Sequence, residues 1–156
     1  MFCRLMISYL LLLTVVAAGC DDSREASQVA SPMLTAGQVW TYNTRPGESE
    51  SRATVLQIDE EADQTIVHVR LDGLQLKSPT APDGISREVE HLPLSLSAFE
   101  RSTLLKVDDV DTNSLSRRGY DTWREAFDKG EAGVFDQPLK DVLDIVESTL
   151  QGRETE

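Results

Sequence analysis

Proton transfer near neutral pH most often uses histidine, and this chain carries two, His68 and His91. Either could serve a hydrolytic step, yet no serine sits in a nucleophile-elbow setting and no carboxylate stands at zinc-ligand spacing from them. Asp109, Asp111 and Asn113 open like a calcium loop. Ser114 then occupies the position that needs glycine, and Tyr120 the position of the bidentate glutamate, so a solvated polar loop is expected there. Trp40, Tyr42, Arg45 and Arg52 form a third group, an aromatic and basic patch of the kind that anchors interfaces. Against that, Trp40 and Tyr42 could simply face the core. The fourth candidate is Cys20, whose thiol is a strong nucleophile at the end of an apolar run.

The elements that must position these groups follow from periodicity. GQVWTYNT alternates Trp40 and Tyr42 against Val39, Thr41 and Asn43. SRATVLQID places Thr54, Leu56 and Ile58 on one face, and TIVHVRL places Val67, Val69 and Leu71 on one face. His68 shares the opposite face with Ile66 and Arg70, which predicts a partly exposed strand histidine. Pro46 and Gly47 suit the centre of a type II turn, and EEADQ suits a hairpin loop, so these strands form an antiparallel meander. A fourth strand is expected near Arg87–His91.

The second half reads as helical. Ser97 with Glu100 predicts a capping box opening a helix through about Lys106, and Thr122 with Glu125 predicts a second, with Trp123, Ala126 and Phe127 on one face. Leu139, Val142, Leu143, Val146 and Leu150 hold the spacing of one buried helical stripe, with Pro138 at its start and Gly152 past its end. The expected fold is α+β: a small antiparallel sheet of three to four strands, then two to three helices packed on one face.

The formal charge is −12, from 27 acidic and 15 basic residues. Phosphate backbones and anionic lipid heads repel such a chain, so no nucleic-acid partner is expected. Cys3 and Cys20 are the only cysteines, so residues 37–156 can build no disulfide, thiolate metal site or cysteine nucleophile. No cofactor is expected.

The start of the chain gives an address. Arg4 precedes an uncharged apolar run, Leu5–Gly19, that falls short of the roughly 20 residues of a membrane span. It closes on VAAGC, residues 16–20. This segment resembles the lipobox of bacterial lipoproteins, in which a branched aliphatic and two small residues precede cysteine. Ala17 stands where leucine is commonest, a departure that looser forms of the pattern allow. The resemblance implies a signal peptide over residues 1–19 and a Cys20 that takes a diacylglyceryl thioether. Peptidase cleavage then frees the Cys20 amine for a further acyl chain such as palmitate, which holds the protein on a membrane facing the periplasm. A simple secretory peptide cut near Ala18, leaving Cys20 a free thiol, is the alternative. Asp21 resembles the inner-membrane retention signal of enteric bacteria.

Residues 20–36 comprise Cys20 and a mostly small or polar tether, which as a coil reaches about 20–24 Å; residues 37–156 form the single α+β domain. GQVWTYNTRPGE, WREAF and AGVF are also similar to a group of small bacterial proteins of unknown function, a resemblance that transfers no site. The expected function is a lipid-anchored envelope lipoprotein acting as a non-enzymatic binding or adaptor module toward an envelope protein or ligand. The alternatives are an inhibitor or immunity protein, for which acidity would suit a basic target, and a small envelope hydrolase using His68 or His91.

Overall fold

The computed structural model describes residues 33–152. The expected signal peptide, Cys20, Asp21 and the tether up to residue 32 lie outside the described residues. Leu34 already packs against the core, and the Gln38 side-chain amide donates to the Met33 carbonyl at 2.9 Å.

The elements run β1 (Gln38–Tyr42), β2 (Arg52–Glu60), β3 (Thr65–Lys77), β4 (Ile85–Ser95), α1 (Leu96–Ser102), β5 (Thr103–Asp109), a 3-10 turn (Thr112–Ser114), α2 (Arg118–Asp128) and α3 (Leu139–Leu150). The strands form one five-stranded antiparallel sheet in the order β4-β3-β2-β1-β5. The α+β class is as expected; the strand count is higher.

The additional strand is β5. A helix through Lys106 was expected, but α1 ends at Ser102, where the Ser102 hydroxyl donates to the Ala98 carbonyl and accepts from Leu139 N–H at 2.8 Å. Thr103–Asp109 then turns extended and pairs with the free side of β1. Tertiary pairing overrides the local helical preference of the leucines. The cap of α1 also differs from the expected Ser97–Glu100 box: Ser95 accepts from Ala98 N–H at 3.1 Å. Likewise α2 begins at Arg118 without a side-chain cap, so Thr122 lies inside the helix rather than at its start.

β3 alternates regularly from Ile66 to Leu71 and changes phase at Gly73, φ 74°, so that Leu74 and Leu76 also face the core. Val67, Val69 and Leu71 join Val55, Leu92 and Leu94 in a core closed by Ala98 and Phe99 of α1 and by Leu139, Val142 and Leu143 of α3. The intervening residues Ile66 and His68 are also fully buried, and His68 meets Trp123 of α2 at 4.6 Å between ring centroids. The helices therefore do not share one face. α2 covers the side of β3 opposite to the α1–α3 core, where Trp123 packs on the His68 ring.

The neighbours of β3 break alternation through bulges. In β2 the pairing passes from Val55↔Val69 to Gln57↔His68, leaving Leu56 as the additional residue. Ala53 and Val55 face the core before the bulge and Ile58 after it, which corrects the expected face of Thr54, Leu56 and Ile58. In β4 the pairing passes from Leu92↔Val69 to Val89↔Leu71, with Glu90 and His91 between. Both bulges turn polar side chains toward His68.

Candidate functional site

His68 is the centre of a buried polar cluster. Its Nδ1 lies 2.9 Å from His91 Nε2, with the rings nearly parallel at 15°. Its Nε2 approaches Asp59 Oδ2 at 3.3 Å, without an aligned hydrogen bond. Asp59 accepts from Gln57 Nε2 at 2.7 Å and from the Tyr120 hydroxyl at 2.9 Å, and lies 3.7 Å from Arg124 Nη1. Arg124 is shared with Glu61 and with Asp128 at 2.6 Å.

The charges fix the tautomers. Burial opposes ionisation of Asp59, but hydrogen bonds from Gln57 and Tyr120, with the His68 ring and the Arg124 guanidinium nearby, outweigh it, so its pKa falls below the usual carboxylate value. An ionised Asp59 would repel an unprotonated His68 Nε2, which places the His68 proton on Nε2 and makes Nδ1 the acceptor of His91 Nε2–H. Burial drives the His68 pKa down against the pull of Asp59, and burial with the neighbouring His68 takes His91 to about 4. Both rings are neutral at pH 7. Burial, then the hydrogen bond to Asp59, raises the Tyr120 pKa.

His68 is fully buried rather than partly exposed, and its two ring nitrogens face His91 and Asp59. No serine or threonine hydroxyl hydrogen-bonds to either histidine among the described residues. Among the described residues each ring is held by the other and by Asp59 or the aromatic side chains around it. Asp59, Tyr120 and Arg124 were not singled out from sequence. The signal for two of them was present, since Tyr120, Trp123 and Arg124 share one helical face by their spacing.

On the outer side of Gln57 and Tyr120 lies an open cleft of about 590 Å³, between the chain entering β1, the bulged part of β2 and the 3-10 turn leading into α2. Its apolar wall includes Leu34, Leu56, Ile58 and Leu115, and among the described residues Arg117 is the only charged one lining it.

The four residues of the expected aromatic and basic patch serve different ends. Trp40 packs edge-on to Phe99 at 5.7 Å between centroids. Tyr42 is buried and donates to Ser51 Oγ at 2.6 Å, since that hydroxyl already donates to the Asp72 carbonyl. Arg45 bridges Glu48 at 2.6 Å, Glu147 at 2.7 Å and Asp144 at 3.1 Å, tying α3 to the first hairpin. The Arg45–Glu48 turn closes as predicted, with Gly47 at φ 88°. Arg52 stays partly exposed and donates to the carbonyls of Ser49 and Ser51. The calcium-like residues also find internal uses: Asp109 pairs with Lys106, and Asp111 accepts from Asn113 N–H at 2.9 Å. Among the described residues no three potential metal ligands converge.

Among the described residues, β5 and Val110 beyond its end carry exposed apolar side chains. Leu104, Leu105, Val107 and Val110 are 56, 67, 51 and 38% exposed, a concentration of apolar side chains on one short segment. The opposite sheet edge is covered only at the end of β4, where Phe135 exchanges backbone hydrogen bonds with Pro93 and Ser95. Among the described residues no helix is long and apolar enough to cross a membrane.

Comparisons of the chain with protein-family models, with curated proteins and with solved structures find no match.

Proposed function

We propose that the chain is a lipoprotein of the bacterial cell envelope, anchored through acylated Cys20, whose domain is a non-enzymatic module that docks a basic partner protein along β5. The anchor rests on VAAGC at the end of a short apolar run, and Asp21 favours the inner membrane. The observation that carries the binding role is the outer edge of β5, unpaired by any described strand, where exposed Leu104, Leu105 and Val107, with Val110 just beyond, stand beside Asp108, Asp109 and Asp111.

Charge selects the occupant. A second copy brings the same −12 excess and the same aspartates, so copies repel one another. An extended basic segment gains both the apolar contacts and the charge complementarity, by strand addition. The inward orientation of His68 and His91 supports the non-enzymatic role over the hydrolase.

Two measurements test this. Labelled palmitate should enter the wild type and not Cys20→Ser. A photocrosslinker at position 105 should trap one basic envelope protein in cells, whereas a crosslinker at exposed Glu125 should not. Val107→Asp should abolish the adduct from position 105 and fail to complement a deletion strain while remaining folded. An adduct with a second copy, or equal adducts from both positions, overturns the docking proposal. Failure of the His68→Ala and His91→Ala variants to complement while folded would move the hydrolase ahead.

A further inference from the structure

We propose that the cleft beside Tyr120 binds an amphiphile made of an alkyl chain and a single anionic head, with the chain on Leu34, Leu56, Ile58 and Leu115 and the head on Arg117. This site is separate from β5 and does not depend on the anchor or the partner proposed above.

Size and shape come first. A cleft of about 590 Å³ falls within the roughly 300–1,000 Å³ of small-molecule sites. Its wall is of mixed character, with an aliphatic strip and a ring of hydroxyl and amide groups from residues such as Gln57, Asn113 and Tyr120. That division matches a ligand with one apolar and one polar end.

Charge decides the head. Acidic residues outnumber basic ones by 27 to 15 in this chain, yet among the described residues no carboxylate lines the cleft and Arg117 does. Among the described residues Arg117 is not tightly neutralised: its nearest carboxylate there, Asp121, is 4.0 Å away, and both side chains are largely exposed. The guanidinium instead rests 4.9 Å above the Tyr120 ring, which holds it beside the cleft while leaving donors free.

The wall is rigid for a stated reason. Gln57 Nε2 donates both to Asp59 and to the Tyr120 oxygen at 2.8 Å, and Tyr120 donates to Asp59. The buried histidine–aspartate cluster thereby locks the two side chains that separate it from the cleft. A pre-formed wall lowers the ordering cost of binding.

The same chemistry occurs in a soluble alkyl carboxylate and in an anionic membrane lipid, and the experiment distinguishes them. The full chain carrying Cys20→Ser keeps the test independent of acylation. Octanoate is titrated into it and followed by calorimetry and amide chemical shifts. One-site saturation is expected, with shifts confined to residues 34–36, 56–58 and 112–120. Arg117→Glu should weaken binding about tenfold or more, the scale of a lost charge-assisted contact. Octyl glucoside, with the same chain and a neutral head, should bind correspondingly less well. Flotation with phosphatidylglycerol and phosphatidylcholine vesicles forms the second arm. Arg117-dependent recruitment to phosphatidylglycerol alone, without octanoate saturation, assigns the head to a membrane lipid. Neither saturation nor Arg117-dependent recruitment, or octanoate binding equal in wild type and Arg117→Glu, overturns the proposal.

Discussion

Gly119 of α2 lies so close to His91 of β4 that a Cβ on Gly119 would come within 2.6 Å of His91 Cβ. The helix approaches the sheet at this point only because residue 119 has no side chain. Gly119→Ala should therefore cost about 1–3 kcal/mol through overpacking, despite the roughly 1 kcal/mol that alanine gains over glycine in a helix. Gly133→Ala, with open space around it, should stay within about 0.5 kcal/mol. Urea unfolding compares the two. Equal stability of both variants would mean that α2 is not seated on His91.

The same seating sets a pH dependence. His91 titrates at about 4 in the folded state, against about 6.5 in an unfolded chain, and burial lowers His68 as well. The unfolded state then binds more protons between these limits. Stability is complete above about pH 6.5 and falls as pH drops toward 4, by up to about 1.4 kcal/mol per pH unit for each proton taken up. Asp59, Tyr120 and Arg124 face the pair throughout this range; Asp59, with its lowered pKa, loses its own contribution only further down. His91→Gln should flatten the slope between pH 6.5 and 4. An unchanged slope would place the responsible proton elsewhere.

What could be read from sequence, and what could not, divides along the period of each element. The stripe Leu139, Val142, Leu143 emerges buried because helical spacing, Pro138 and Gly152 all point to one answer. The face of β2 was misread at Leu56, since a bulge shifts a strand by one residue and leaves no mark on composition. β5 was concealed for another reason: TLLKVDD is compatible with helix or strand, and only the open side of β1 selects the strand. His68 looks half-exposed on its own strand and becomes buried when α2, from a distant part of the chain, covers it. The cleft is a product of that same long-range placement. The patch of Trp40, Tyr42, Arg45 and Arg52 was visible as proximity in sequence, but the carboxylates of Asp144 and Glu147 that engage Arg45 come from α3.

Leu143 tests the core on the α1–α3 side. It is fully buried against the sheet, whereas Leu150, at the end of the same helical stripe, is 37% exposed. Leu143→Ala should cost about 2–5 kcal/mol. Leu150→Ala should cost well under half as much, because its exposed position already leaves part of the side chain in water. Denaturant midpoints at constant m-value measure both. A loss below about 0.5 kcal/mol for Leu143→Ala would show α3 to be peripheral.

Arg45 and Arg52, similar in sequence, should behave differently. Glu48 is 2% exposed, and its Oε1 accepts both from Arg45 and from Gln75 N–H at 2.8 Å. Arg45 also reaches Glu147, whose other oxygen accepts from Lys77 N–H at 2.8 Å, so one guanidinium joins the hairpin, the end of β3 and α3. Hydrogen bonding to Glu48, ahead of its burial, raises the Arg45 pKa and keeps it charged. Arg45→Met strands the buried Glu48 carboxylate and should cost about 3–5 kcal/mol. Adding Glu48→Gln removes the stranded charge while keeping an acceptor for Gln75, so the double variant should be more stable than Arg45→Met alone. Arg52→Met loses only partly exposed contacts to two carbonyls and a 3.8 Å approach to Glu50, and should stay within about 0.5 kcal/mol. Salt separates the two further, since added electrolyte screens exposed charges much more than buried ones. If Arg45→Met and Arg52→Met are equally mild, the Arg45 network is a surface ornament of the fold and α3 is held by its apolar face alone.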